Sequence, residues 1–295
     1  MQIESGYAKI QVKKEGMKVM IDILKALLFG LIEGITEWLP ISSTGHLIIL
    51  EDWLNVTGTY GQDFWDLFLV VIQLGAILAV IILFFNKLWP FGKRKSKEEK
   101  VHTWIIWRNV LIACVPAAIF GLLFDDWLNR HFYNFITVAI MLIFYGVLFI
   151  VIELANKKRD FKFSDCKDMT WKTALIVGMI QLLALIPGTS RSGVTILGAM
   201  MIGFDRASSA EFSFFLSIPV MAGASLLKGV KYFLDGNSLT SNQAAFLIAG
   251  TFTAFVVSYI VIKFLLSFIR KHDFKVFGVY RIILGIILII YFFLG

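Results

Sequence analysis

Residues 29–46 read Phe29-Gly-Leu-Ile-Glu33-Gly-Ile-Thr-Glu37-Trp-Leu-Pro40-Ile-Ser-Ser43-Thr-Gly-His46. Two carboxylates, a proline, a run of hydroxyls and a histidine interrupt a largely apolar stretch over 21–54. In hydrocarbon every backbone polar group must be satisfied internally, so a break at membrane depth is tolerated only where protein or a water-filled cavity covers it. A second apolar stretch, 172–204, is broken in the same way by Pro187-Gly-Thr-Ser190-Arg191-Ser-Gly193. Interrupted segments at corresponding places in two halves of a chain point to the binding site of an inverted-repeat membrane protein.

The surrounding composition fits a bilayer. Hydrophobic residues make up 58% of the 295 positions and charged residues 17%, with a mean hydropathy of +0.78. A soluble domain has about 45–50% apolar and about 25% charged residues. The net charge of +7 gathers in short segments between apolar runs rather than on one face or stripe, which argues against a nucleic-acid partner. Cys114 and Cys166 form neither a metal-ligand spacing nor a disulfide framework.

Six apolar runs are long enough to span: roughly 64–86, 104–124, 134–154, 209–233, 243–268 and 276–294. They do not alternate in segments of about 10 residues as barrel strands do, so helices are predicted. The halves correspond. Gly30-Leu-Ile-Glu33 lies 148 positions before Gly178-Met-Ile-Gln181, and Asp63-Phe64 lies 148 before Glu211-Phe212. Pro40 and Pro187 are 147 apart, a slip of one residue. The predicted fold is all-α and polytopic, an inverted repeat of two halves, each a re-entrant broken hairpin plus three transmembrane helices. The first 19 residues are polar and read as an extension. Residues 20–295 read as one membrane domain, with repeats over about 20–156 and 170–295.

Lysine and arginine set the orientation. The 87–100, 155–172 and 269–275 segments are rich in them, whereas 51–63 and 234–242 have none and 125–133 has only Arg130. The first three therefore face the cytoplasm. With three full spans per half, the two hairpins enter from opposite sides and their tips meet near the midplane. His102, His131 and His272 are expected in solvated loops. Asp66, Glu153, Glu211 and Arg281 are expected at the interface, near span ends.

Glu33 and Glu37, four apart, share one helix face. Ionised carboxylates are expensive at membrane depth and functional by default. They suit a hard divalent cation, Mg²⁺ or Ca²⁺, or one of them serves as a base; solvated acids at a helix end are the alternative. Ser42, Ser43 and Thr44 precede His46. A hydroxyl beside an imidazole is an activated nucleophile, whereas His46 alone would activate water and the hydroxyls would serve as helix caps. In the second break, Gly188 and Gly193 let backbone N–H groups converge on an anion. Arg191 adds a planar fork for phosphate, or pairs with Glu33 or Glu37. Thr189, Ser190 and Ser192 are further candidate substrate contacts, as is Gln181 at the repeat position of Glu33.

The strings Glu33 through His46 and Pro187 through Gly193 closely resemble the motifs of the bacterial undecaprenyl-diphosphate phosphatase family, also called bacitracin resistance proteins. The resemblance runs over about residues 20–295. It implies a multi-pass enzyme of the bacterial inner membrane. That enzyme removes the terminal phosphate of a polyprenyl diphosphate and recycles the lipid carrier for peptidoglycan synthesis, conferring bacitracin resistance. It also implies divalent-cation dependence and a site open to the outer, periplasmic face, with Glu33, Glu37, Ser43, His46, Ser190 and Arg191 at the matching positions. Phosphatidic acid phosphatases, which share some of these strings, need a second histidine where this chain has Leu197. The expected mechanism has Ser43, helped by His46, attack the phosphate, or a water activated by His46 do so. A lipid transporter or flippase is the competing reading, and a homodimer is one expected assembly.

Overall fold

The computed structural model describes residues 2–157 and 160–294. Lys158 and Arg159, counted above in the basic 155–172 segment, lie outside the described residues. The described residues are mostly helical, and they show no β-structure apart from an isolated bridge between Phe163 and Phe204.

The first half contains α1 (Gln2–Thr36), α2 (Ser43–Leu54), the short α3 (Val56–Tyr60), α4 (Gln62–Leu83), the short α5 (Phe85–Leu88), α6 (Lys97–Phe132) and α7 (Phe135–Asn156). The second half contains α8 (Trp171–Gln181), α9 (Arg191–Ile202), α10 (Arg206–Leu234), α11 (Ser241–Ile269) and α12 (Lys275–Leu294). Among the described residues, six helices are long and apolar enough to cross a membrane: α4, α6, α7, α10, α11 and α12. They are the six predicted runs. The helix α1 is continuous from Gln2, across the boundary expected near residue 20.

The 148-residue offset is visible in the backbone. The helices α2 and α9 are both 12 residues long, and each is entered through a serine with left-handed backbone, Ser42 at φ 73° and Ser190 at φ 72°. Each is left through another such residue, Asn55 at φ 48° and Gly203 at φ 120°. Left-handed backbone is uncommon outside glycine, so its recurrence at matched positions is specific. The packing obeys the same relation. The helix α1 lies on α11 and α8 lies on α6, while α4 meets α10 and α7 meets α12. This pairing is compatible with two copies of one plan exchanging partners.

Glycines set the closest crossings. A Cβ on Gly30 would lie 2.3 Å from the Gly250 carbonyl, and one on its repeat partner Gly178 would lie 2.5 Å from the Ala113 carbonyl. Small residues that let helix backbones approach are what membrane interfaces favour, because lipid removes the hydrophobic drive for association.

Four expectations need correction. The 125–133 segment is not a loop, since α6 runs through it to Phe132. His131 therefore lies on α6, as does His102, since the helix begins at Lys97; of the three histidines only His272 lies in a turn. Glu153 lies near the end of α7, as expected, but is buried rather than solvated. It takes three hydrogen bonds from the Arg206 guanidinium at 2.5–3.2 Å and a fourth from the Phe274 amide. Arg281 is wholly buried along α12. Sequence position near a span end did not reveal the burial of either residue, because a charge with enough partners is retained inside.

Candidate active site

The two breaks meet. The first is the turn between Thr36 and Ser43, and the second joins α8 through a 3-10 turn (Leu182–Leu185) to α9. Glu37 sits at their junction. Its Oε1 accepts from Arg191 Nη2 at 2.8 Å, and its Oε2 accepts from the Ser43 hydroxyl at 2.8 Å. Its backbone carbonyl accepts from the Ser192 hydroxyl at 2.9 Å. One acidic residue of the first break thus holds two residues of the second.

Arg191 is fixed from the other side by α10, where its Nη1 donates to the Ser213 carbonyl at 2.7 Å and lies 3.3 Å from the Ser213 hydroxyl. The side chains of Glu37 and Arg191 are only 7% and 11% exposed, so little water screens their attraction. Ser190 caps α9, its hydroxyl accepting from the Gly193 amide at 3.1 Å. The first break differs, because Ser42 makes no side-chain cap bond. The hydroxyls there are not spent on capping, and Ser43 is bonded to Glu37 instead.

Arg281 ties both breaks to the scaffold. Its guanidinium donates to the carbonyls of Gly188 at 2.8 Å, Thr189 at 2.9 Å and Pro40 at 3.2 Å, and more weakly to Leu142 and Met141 of α7. Breaking a helix in the bilayer leaves carbonyls that need donors. A single arginine with five N–H groups supplies them to both breaks. Gly188 is held at φ 90°, and a Cβ there would lie 2.7 Å from backbone atoms of Val138.

His46 lies one turn after Ser43 on α2 but does not bond to it. Its Nδ1 is 2.7 Å from the Ser42 carbonyl, and its Nε2 is 2.7 Å from the Tyr280 hydroxyl on α12, whose ring stacks on the imidazole. A carbonyl only accepts, so Nδ1 carries the proton there. The hydroxyl–imidazole pair expected between Ser43 and His46 is therefore not made. The partner of Ser43 is Glu37.

Glu33 is fully buried one turn before Glu37, and neither of its oxygens has a hydrogen-bond partner. Gln181, its repeat equivalent, is also buried with an unpartnered carboxamide. A hard cation prefers oxygen donors. The lone pairs of Glu33 meet that need, whereas both oxygens of Glu37 already accept hydrogen bonds. No group of three or more acidic, histidine or cysteine residues suited to a metal exists among the described residues. The protein's own share of a cation site is therefore at most two carboxylates, which leaves coordination positions for water and phosphate oxygens, as is usual for Mg²⁺.

A cavity of about 200 Å³ opens beside this network. Its polar lining is Glu37, Ser43, Thr44, Gln73, Ser190 and Arg191, together with Pro187 and Gly188. Ile186, Val220, Met221 and Ala224 are among its apolar lining. His46, Glu33 and Gln181 do not line it. Sequence reasoning missed Tyr280, Ser213 and Arg281, which lie far from both motifs in the chain. A buried-depth arginine in a span was the one available signal, and it was visible at Arg281.

Comparison with known proteins adds a family. Residues 26–287 match the family described as bacitracin resistance protein BacA. Similar chains include an undecaprenyl-diphosphatase of Enterococcus faecalis, 58% identical over 270 residues, covering 92% of this chain and 97% of the relative. Another, from Streptococcus thermophilus, is 54% identical, covering 92% and 94%. A third, from Lactiplantibacillus plantarum, is 52% identical, covering 92% and 98%.

Proposed function

The chain belongs to the bacitracin resistance protein BacA family, and from that membership we infer that it is an undecaprenyl-diphosphatase. It is a multi-pass membrane hydrolase that converts undecaprenyl diphosphate to undecaprenyl phosphate and inorganic phosphate, returns the lipid carrier to peptidoglycan synthesis and confers bacitracin resistance. The observation that carries the mechanism is the Arg191–Glu37–Ser43 chain of hydrogen bonds at the cavity wall.

In this reading Arg191 is the phosphate ligand and also orients Glu37. Ser43 Oγ attacks the terminal phosphorus as Glu37 Oε2 takes its proton. The bond to the bridging oxygen breaks, and undecaprenyl phosphate leaves. Water then hydrolyses the phosphoserine, with Glu37 returning the proton to Ser43. Direct attack by water, with Glu37 as base, needs the same residues apart from Ser43. His46, which does not line the cavity in this arrangement, would protonate the leaving oxygen only as an imidazolium, with Nε2 protonated and released from Tyr280. Glu33, with Glu37, would hold a divalent cation, which when bound offsets the charge that builds on the diphosphate in the transition state. The cavity holds a diphosphate head but not a C55 chain, so the prenyl tail lies outside it against lipid. The basic cytoplasmic segments favour a site open to the periplasmic face.

The decisive test is phosphate release from undecaprenyl diphosphate by the purified chain in detergent, with and without chelator. Stoichiometric release that stops on chelation and resumes with added Mg²⁺ or Ca²⁺ is expected. Substrate moved across vesicles with no phosphate released would instead establish a transporter.

A further inference from the structure

The cavity lies where α4 faces α10, the two helices that the 148-residue offset relates. Its lining contains one matched pair, Gln73 on α4 and Met221 on α10. The other α10 residues in the lining, Val220 and Ala224, correspond to Ile72 and Ala76, so Gln73 is the one polar departure from an apolar pattern. It stands between Ile72 and Leu74 in a span whose neighbours are all aliphatic. Among the described residues its carboxamide has no hydrogen-bond partner. A polar group at this depth is costly unless something in the cavity bonds to it. Glu37 and Ser43 are bonded to each other, and Arg191 keeps only its Nε–H free of a partner, so the two N–H donors of Gln73 add to what the site can offer a diphosphate.

We propose that Gln73 is a further substrate-binding residue, donating its carboxamide N–H to a diphosphate oxygen from the α4 wall of the cavity. This rests on the undecaprenyl-diphosphatase reading. The two-fold plan supplies two equivalent walls, and the sequence makes one of them polar for the head group. The other, at Met221, stays apolar for the first carbons of the prenyl chain.

The test uses the full chain in detergent. Gln73→Met places on α4 the residue that α10 carries at the equivalent position. One charge-assisted hydrogen bond lost at this site raises KM for undecaprenyl diphosphate by about ten- to a hundredfold. Inhibition by inorganic pyrophosphate weakens by a similar factor, and the melting temperature stays unchanged. Gln73→Glu keeps the shape but adds a charge. It binds pyrophosphate more weakly still at alkaline pH and regains part of the loss on acidification, when a neutral carboxyl again has a donor. Unchanged KM and unchanged pyrophosphate inhibition in Gln73→Met overturn the proposal, as does a fall in kcat alone, which would mark a structural role. If Gln73→Met cannot be purified, Gln73→Glu is judged by the same two readouts. If the wild type releases no phosphate from the lipid, the underlying reading fails, and calorimetric binding of pyrophosphate alone still decides whether Gln73 is a ligand.

Discussion

At the scale of single residues, the site is a competition for Glu37. Its two oxygens are divided between Arg191 and Ser43, so it is held in one orientation and still reaches the hydroxyl. Arg191→Lys keeps the charge but loses the planar fork that serves Glu37 and Ser213 together. A fall in kcat/KM of roughly 10²-fold is expected, the size of losing one preorganised donor, read by phosphate release. Ser43→Ala separates the two routes. With serine as nucleophile, activity falls to background, and rapid quench followed by mass spectrometry of the wild type finds phosphoserine at position 43. Near-full activity in Ser43→Ala leaves only the water route. Tyr280→Phe frees His46 Nε2 while keeping the stacked ring. It should change kcat/KM by less than about tenfold, as expected for one neutral hydrogen bond, whereas His46→Ala should lose roughly 10²-fold or more if the imidazole is an acid catalyst.

Among the elements, the breaks depend on tight helix crossings that keep their ends in place. Gly30 and Gly178 occupy corresponding crossings, and both would drive a Cβ into a neighbouring carbonyl. Gly30→Ala and Gly178→Ala should each destabilise the protein by about 1–3 kcal/mol, the usual penalty for overpacking, seen as a lower melting temperature in detergent. Gly229, in α10 with nothing within 4 Å of its would-be Cβ, is the control. Gly229→Ala should be neutral or stabilising by up to about 1 kcal/mol, since alanine is the better helix former. Equal effects at all three positions would mean that the glycines act through propensity and not through packing.

On the scale of the whole molecule, Arg281 is the link between the repeats. It is donated by α12 and bonds carbonyls of the first break, the second break and α7. Arg281→Met should cost more than about 3 kcal/mol, because several buried carbonyls lose their donor at once. Helical content by circular dichroism should persist while activity and cooperative melting are lost. Arg281→Lys should not restore activity, since one ammonium lacks the geometry of the guanidinium fork.

Much of this was legible in the chain. The six spans, the two breaks and their 148-residue relation follow from hydropathy and from proline and glycine placement, because a bilayer imposes length and continuity on any segment that crosses it. Most of the polar residues that line the cavity were also legible, since charged and hydroxyl groups stand out in an apolar background. Pairing was not. The bond from Ser43 to Glu37 rather than His46, the stacking of Tyr280 on His46 and the burial of Arg281 and Glu153 depend on which helices meet, and α12 lies more than 200 residues from the first motif. Local pattern specifies where a helix stops; only packing decides which distant donor satisfies the groups left open there.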